Sequence, residues 1–217
     1  IRLIKKGVSS EKVKSLGIPF DPKFNDPLDR NSILRKHKLS GDIPTVLIMG
    51  GGQGLGPIKK IVKSLEKIGK DIQEIVVAGT NKKLYNSLRR KIRKYKKKII
   101  VFGYTQNINE LMYISDIVIS KPGGVTTSEV LAKGKPMIIV SPLPGQEANN
   151  TAYLIQKGAA LKIEEPGKIN LVIEGLLENP HKVRHLGEAA KQISKPLASM
   201  DIARLLLSNS SVFGSTL

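Results

Sequence analysis

The sequence predicts an α/β fold: a three-layer sandwich in which helices cover both faces of a parallel six-stranded sheet. Three observations carry this. Six short apolar, β-branched runs occur at residues 45–49, 74–79, 98–102, 116–120, 137–140 and 159–163. Segments of helical periodicity separate them, and glycine or proline turns follow several of the runs directly. Strands alternating with helices at this spacing join through right-handed crossovers into a parallel sheet. The loops after the strand C-termini then share one edge, where a ligand is expected.

Composition narrows the class. The 217 residues, 40% hydrophobic, suffice for one sizeable core. The absence of cysteine excludes disulfides and thiolate metal sites. No apolar run approaches the roughly 20 residues that span a bilayer, and residues 1–6 lack a signal-peptide pattern. Because the chain opens on Ile1 rather than Met, a piece of a longer protein is expected. A formal charge of +18 favours phosphate-bearing partners. Ten Lys or Arg and no acid lie between Lys82 and Lys98, with Leu84, Leu88, Ile92 and Tyr95 near helical spacing. With aromatics at 4%, stacking residues are scarce, which argues for a solvated helix face over a nucleic-acid groove.

Taken in order, residues 1–40 read as a linker with two short helical pieces, broken by the extended Gly17-Ile18-Pro19-Phe20-Asp21-Pro22 segment. Residues 41–207 read as the folded domain and 208–217 as a loose tail. The first strand runs into Gly50-Gly51-Gly52-Gln53-Gly54-Leu55-Gly56, then Pro57 opens a helix whose apolar face is Ile58, Ile61, Val62, Leu65 and Ile68. Five glycines between strand and helix suggest a phosphate cradle. A dinucleotide site is excluded, because the second strand ends in Ala78-Gly79-Thr80 and offers no acid for ribose. Asn81 caps the basic helix. The third strand ends in Phe102-Gly103-Tyr104, and a short helix spans 109–115.

The fourth strand carries Ser120-Lys121-Pro122-Gly123-Gly124-Val125-Thr126-Thr127-Ser128-Glu129. This is a strand, a glycine turn and then a helix expected from about Thr127, an arrangement that points free amides at the strand ends. Thr126 and Glu129 also match a capping box. The fifth strand leads through Pro144-Gly145-Gln146-Glu147 to a helix expected near Asn149 and Asn150, and three further helices are expected at 168–178, 181–194 and 198–207. His181 and His185, one turn apart, lack further ligands and are expected at the surface; His37 likewise has no ligand set.

The segments MGGGQGLGP (49–57), VFGYT to PGQEANN (101–150) and PLASMDIA (196–203) resemble the C-terminal, donor-binding domain of GT-B glycosyltransferases. The similarity spans residues 7–207 and is greatest to the branch of bacterial diacylglycerol glucosyltransferases and plant monogalactosyldiacylglycerol synthases. It implies a Rossmann-like half of a GT-B fold and a UDP-sugar donor, with the nucleotide sugar a substrate rather than a cofactor. It further implies Glu129 on the ribose hydroxyls, backbone at Phe102, Gly103 and Tyr104 on the uracil, and Gly52, Gln53, Gly54, Gly123, Gly124, Thr126 and Thr127 around the diphosphate. Gln146 and Glu147 would face the sugar and Asn150 would brace the loop. Two departures stand out: Gly52 occupies a relative's serine position, and Asp21 stands where some relatives carry Arg.

The resemblance implies inverting transfer of glucose or galactose to diacylglycerol, a lipid acceptor, by an enzyme peripheral on the cytoplasmic face of an anionic membrane. No Asp-x-Asp motif exists to hold a metal, so helix amides would stabilise the leaving diphosphate. The base is implied to lie in an N-terminal domain, so this segment alone is expected to bind donor without turning it over. Two other readings stay open: an N-acetylglucosamine transfer to another lipid-linked acceptor, and a non-catalytic nucleotide or nucleic-acid binding module.

Overall fold

The computed structural model describes residues 2–210. Six strands form one all-parallel sheet in the order β3-β2-β1-β4-β5-β6. They are β1 (Thr45–Met49), β2 (Gln73–Val77), β3 (Lys98–Phe102), β4 (Ile117–Ser120), β5 (Met137–Val140) and β6 (Ala160–Ile163). The chain moves outward from β1 through β2 to β3, returns to the other side of β1 as β4, and continues outward to β6. Consequently the loops after β1 and β4 flank the point where the strand order reverses, the place where open α/β sheets bind ligands.

The helices are α1 (Arg2–Lys5), α2 (Arg30–Lys36), α3 (Ile58–Leu65), α4 (Lys82–Lys91), α5 (Ile108–Ile114), α6 (Gly124–Ala132), α7 (Gln146–Gln156), α8 (Ile169–Leu177), α9 (Pro180–Ile193) and α10 (Ala198–Ser210). Alternation along the strands divides the core in two. Leu47, Met49, Ile75, Val77, Val118 and Ile139 pack under α2, α5, α6 and α7. On the other face Val46, Ile48, Val76, Ile119 and Ile138 pack under α3, α4 and α8. Helix α9 reaches both, with Leu186 on one side and Ala189 and Ala190 on the other.

The N-terminal segment joins this core. Phe20, Phe24, Ile33, Leu34 and Leu39 are buried in it, and residues 20–25 are tied to the start of α10. The Ser199 hydroxyl donates to the Phe20 carbonyl and Asn25 Nδ2 to that of Pro196. Besides α1 and α2, the segment forms two 3-10 turns, Ser10–Lys12 and Pro22–Asn25.

Helix starts depart most from the sequence expectation. The capping box at Thr126 and Glu129 does not form. Helix α6 begins three residues before Thr127, because Gly123 in extended geometry (φ −61°, ψ 143°) acts as its N-cap. That places Thr126 in the first turn and Glu129 in the helix interior. Helix α7 begins at Gln146, earlier than Asn149, because Gly145 turns the chain at φ 91°. The expected tail begins later than Ser208, since α10 continues to Ser210; residues 211–217 lie outside the described residues. The basic segment behaves as read: Asn81 Oδ1 accepts from the Leu84 amide at 2.9 Å, Leu84 and Leu88 are buried, and its cations face outward.

Candidate functional site

The two loops at the reversal point are built differently. In the β1–α3 loop, glycine is demanded by backbone packing. Gly54 adopts φ +59°, and a Cβ there would stand 1.9 Å from the Ala78 carbonyl oxygen. Gly79 adopts φ +56°, and its Cβ would lie 2.2 Å from the Gly52 carbonyl oxygen. A Cβ on Gly50 would meet the Leu55 backbone at 2.0 Å. The Gly52 carbonyl accepts from the Thr80 amide (2.8 Å) and hydroxyl (3.2 Å), so the loop is stapled to the turn after β2. Only part of its glycine content is therefore free to serve a ligand; Gly51 and Gly52 are the open positions.

The β4–α6 loop is open. Nothing lies within 4 Å of a Cβ on Gly123, and no side chain caps α6. The first intrahelical bond runs from the Thr127 amide to the Gly123 carbonyl (2.8 Å), leaving the amides of Gly124, Val125 and Thr126 without helical acceptors. Together with the positive end of the helix dipole, they favour an anion.

A cleft of about 280 Å³ lies beside this turn, lined by Gly51, Gly52, Gly79, Tyr104, Thr105, Ile108, Val125, Thr126 and Glu129 over a floor of Met49 and Val77. Its one carboxylate is Glu129, whose pKa is pushed up to about 7, chiefly by burial. Lys23 acts against that rise and Asp21 with it. Asp21 is itself engaged, accepting from the Lys23 amide and pairing with its ammonium, each at 3.0 Å.

The residues singled out from sequence divide between two sides of α6. Gly52, Tyr104, Thr126 and Glu129 share the cleft. Gly124, Thr127 and Asn150 line a second cavity of about 210 Å³ with Ile18 and Tyr153, on the opposite side of the helix. Thr127 is buried, and its hydroxyl has no hydrogen-bond partner. Gly54 is buried beneath the loop and Gln53 is exposed on it, neither lining the cleft. The Phe102 carbonyl is taken by the Ala78 amide (2.9 Å), and the Phe102 ring packs edge-on against His37. Gly103 follows at the strand end, outside the lining. So the four loops share one edge, but the β5–α7 loop does not line the cleft; a single pocket touching all four is not what the structure shows.

That fourth loop is instead laced to the β4–α6 loop. Asn150 Nδ2 donates to the Pro122 carbonyl at 2.9 Å, and Lys121 Nζ pairs with Glu147 Oε2 at 3.3 Å. The same Oε2 accepts from the Leu143 amide at 2.7 Å. Gln146 is exposed, with its amide nitrogen close to Gly124. Sequence reasoning gave no site role to Lys121, Thr105, Ile108 or Gly79. Thr105 could have been found as the next residue past the third strand end; the others depend on contacts distant in sequence.

Among the described residues, no three His, Cys, Asp or Glu side chains form a metal-ligand group, and no helix is long and apolar enough to cross a membrane. His181 and His185 are exposed, and His37 is half-buried.

Comparison with known families then becomes decisive. The glycosyltransferase family 28 C-terminal domain matches residues 45–204. The chain belongs to that family. It is 34% identical over 207 residues to the processive diacylglycerol beta-glucosyltransferase of Bacillus cereus (strain ATCC 10987 / NRS 248), covering 95% of this chain and 53% of that protein. The protein of the same description from Bacillus mycoides (strain KBAB4) is 35% identical over 191 residues, 88% of this chain and 49% of that one. The chain thus spans about half the length of these relatives. In fold it superimposes on Acinetobacter baumannii MurG (TM-score 0.67, 18% identity, 85% of this chain and 55% of that one). It also superimposes on Anabaena Alr3699/HepE in complex with UDP-glucose (TM-score 0.66, 18% identity, 94% and 60%). The domain is one half of a GT-B fold.

Proposed function

We propose that this domain binds the UDP-sugar donor of a hexosyltransferase that transfers glucose or galactose to diacylglycerol with inversion and without a metal. One observation carries the donor part. An uncapped helix N-terminus, a threonine in its first turn and a half-buried carboxylate one turn on stand in a single cleft at the sheet's reversal point. An anion held by the amides of Gly124, Val125 and Thr126 would place a ribose near Glu129, whose carboxylate accepts two hydroxyl donors. The open end toward Tyr104 and Thr105 suits a planar base. The relatives, diacylglycerol beta-glucosyltransferases, support glucose and diacylglycerol.

Glycosyl transfer leaves negative charge on the departing diphosphate while the anomeric carbon becomes cationic. Fixed amides at α6 would meet that charge without reorganising, which is why the reaction here needs no cation. Inversion also requires a base for the acceptor hydroxyl. Glu129 is occupied with the ribose in this reading, so the base comes from outside the cleft. The outward-facing cations from Lys82 to Lys98 supply a surface for anionic headgroups, giving a peripheral membrane enzyme.

Calorimetric titration of UDP tests the donor reading against a nucleic-acid module. UDP binding lost in Glu129→Ala and kept in Lys94→Ala supports it. Binding of an oligonucleotide that is lost in Lys94→Ala, with no UDP binding, overturns it.

A further inference from the structure

The sheet edge opposite the donor cleft carries a corner whose charges do not balance. The turn between α6 and β5 sets Lys133, Gly134 and Lys135 against α9, and a cavity of about 350 Å³ opens there. Lys133, Lys135, Arg184 and Lys191 line it, with two carboxylates, Asp116 and Glu188. Asp116 is already engaged: Oδ2 accepts from the Thr45 amide at 2.7 Å, and Oδ1 pairs with Arg30 at 3.5 Å. Arg184 is in contact with His181 Nδ1 at 2.8 Å. Among the described residues, no ion pair holds Lys133, Lys135 or Lys191.

The first two of these lysines are half-buried and share one aromatic ring. Lys133 Nζ lies 5.4 Å and Lys135 Nζ 5.7 Å from the Tyr113 centroid. A ring face attracts a cation but carries no net charge, so two ammonium groups on one ring still repel each other. The C-terminal end of α6 offers only about half a negative charge. Burial pushes the Lys135 pKa down to about 8; Asp116 opposes that fall, while Arg30 and Lys133 add to it. Positive charge is in surplus here.

The backbone holds the cluster together. Gly134 adopts φ +60°, and a Cβ on Gly187 would stand 2.7 Å from the Gly134 carbonyl oxygen, so α9 packs directly on the turn. The Lys191 stem crosses the same residue, its Cδ lying 3.7 Å from where a Gly134 Cβ would be.

We propose that Lys133, Lys135 and Lys191 form a second anion site, one that takes the phosphate group of a small soluble phosphate ester. A phosphate monoester supplies close to two negative charges and three strong acceptor oxygens, enough for three separate ammonium groups. A carboxylate supplies one charge and two oxygens. The cavity is larger than the donor cleft of about 280 Å³, which leaves room for the organic part of the ester. Lysines half-buried in a recess suit a ligand from solution better than a headgroup fixed in a membrane surface. The site lies at the strand N-termini, so it is separate from the donor cleft and does not depend on the donor reading.

Titration calorimetry with glycerol 3-phosphate as the probe tests this. The wild-type protein is expected to bind with a dissociation constant below about 1 mM. Lys133→Met and Lys135→Met each weaken binding about tenfold, the worth of one charge-assisted hydrogen bond, while Lys94→Met on the basic segment leaves it unchanged. Methionine keeps an unbranched apolar stem, and loss of an unpaired cation leaves the melting temperature unchanged or raised. If neither variant folds, the wild-type protein carries the test through acylation of its lysines at about pH 8, read by peptide mass spectrometry. The ester protects Lys135, because a bound phosphate keeps the amine protonated and covered. Absence of binding overturns the proposal, as does binding that both variants retain, which places the anion elsewhere. Absence of protection at Lys135 overturns it too. So does binding to vesicles of phosphatidylcholine and phosphatidylglycerol without binding of the soluble ester.

Discussion

The two glycine loops at the reversal point look alike on paper and differ in the folded chain. In the β1–α3 loop, Gly50 and Gly54 sit where any side chain would collide with backbone, as does Gly79 in the turn that covers the loop. In the β4–α6 loop, Gly123 faces open space and leads into a helix that no side chain caps. Glycine serves packing at Gly50 and Gly54 and access at Gly123, although a Cβ on Gly124 would stand 2.9 Å from Ile18 Cδ1. A glycine-rich sequence is thus not in itself a phosphate site; what matters is which amides remain unclaimed once the loop has folded.

The sharpest way to break this comparison is a methyl group in each loop. Gly54→Ala forces a Cβ to 1.9 Å from a carbonyl oxygen at a φ of +59° that alanine disfavours, so unfolding free energy should fall by about 3 kcal/mol or more in denaturant titration. A loss below about 1 kcal/mol would show the loop to be loosely held.

Next in size is a change remote from both loops, which isolates the fold's own pH dependence from the cleft's. Glu74 in β2 is fully buried, both carboxylate oxygens lack partners, and burial pushes its pKa up to about 8. Its folded pKa lies above the unfolded value of 4.5, so stability is complete below that value and is lost as pH rises toward 8. Glu74→Leu should therefore add about 2 kcal/mol of stability near pH 8 and little near pH 4.5 in thermal or urea unfolding. Equal stabilisation at both pH values would contradict the burial of a neutral carboxyl.

Within the cleft, Glu129→Ala should weaken UDP by roughly tenfold to a hundredfold, as expected for one or two charge-assisted hydrogen bonds, without lowering the melting temperature. Its own titration, displaced upward to about 7 by burial, means that removing the carboxyl relieves the protein at neutral pH. Gly123→Ala is the smallest change. At φ −61° with open space around it, alanine should cost about 0.5–1 kcal/mol of stability, the disadvantage of alanine at an N-cap, and leave UDP binding within about twofold. A large loss there would show that the open loop is constrained after all.

The strands were legible in the sequence because a parallel sheet covered on both faces demands unbroken apolar, β-branched runs; β1, with all five residues buried, is the clearest case. The loops after them could be assigned to one edge by topology alone. Helix starts were less legible, because Gly123 and Gly145 each start a helix where a loop would otherwise continue, and neither helix has a capping side chain to mark its start. The division of the site across α6 was not legible either. Thr126 and Thr127 are adjacent, yet they face different cavities, a consequence of the helix beginning three residues early. Likewise, nothing local reveals that Lys121 reaches Glu147, or that Gly54 is needed by Ala78.

The central claim is that an ionised Glu129 beside the free amides of α6 holds the donor nucleotide. The most direct measurement is UDP-glucose affinity by calorimetry across the titration of that carboxyl, because UDP itself carries a terminal phosphate that titrates at about pH 6. With its pKa at about 7, binding should tighten about tenfold between pH 6 and pH 8, as the ionised fraction rises, and Glu129→Gln should abolish that dependence. Affinity that is independent of pH, or a dependence that survives in Glu129→Gln, would contradict the account.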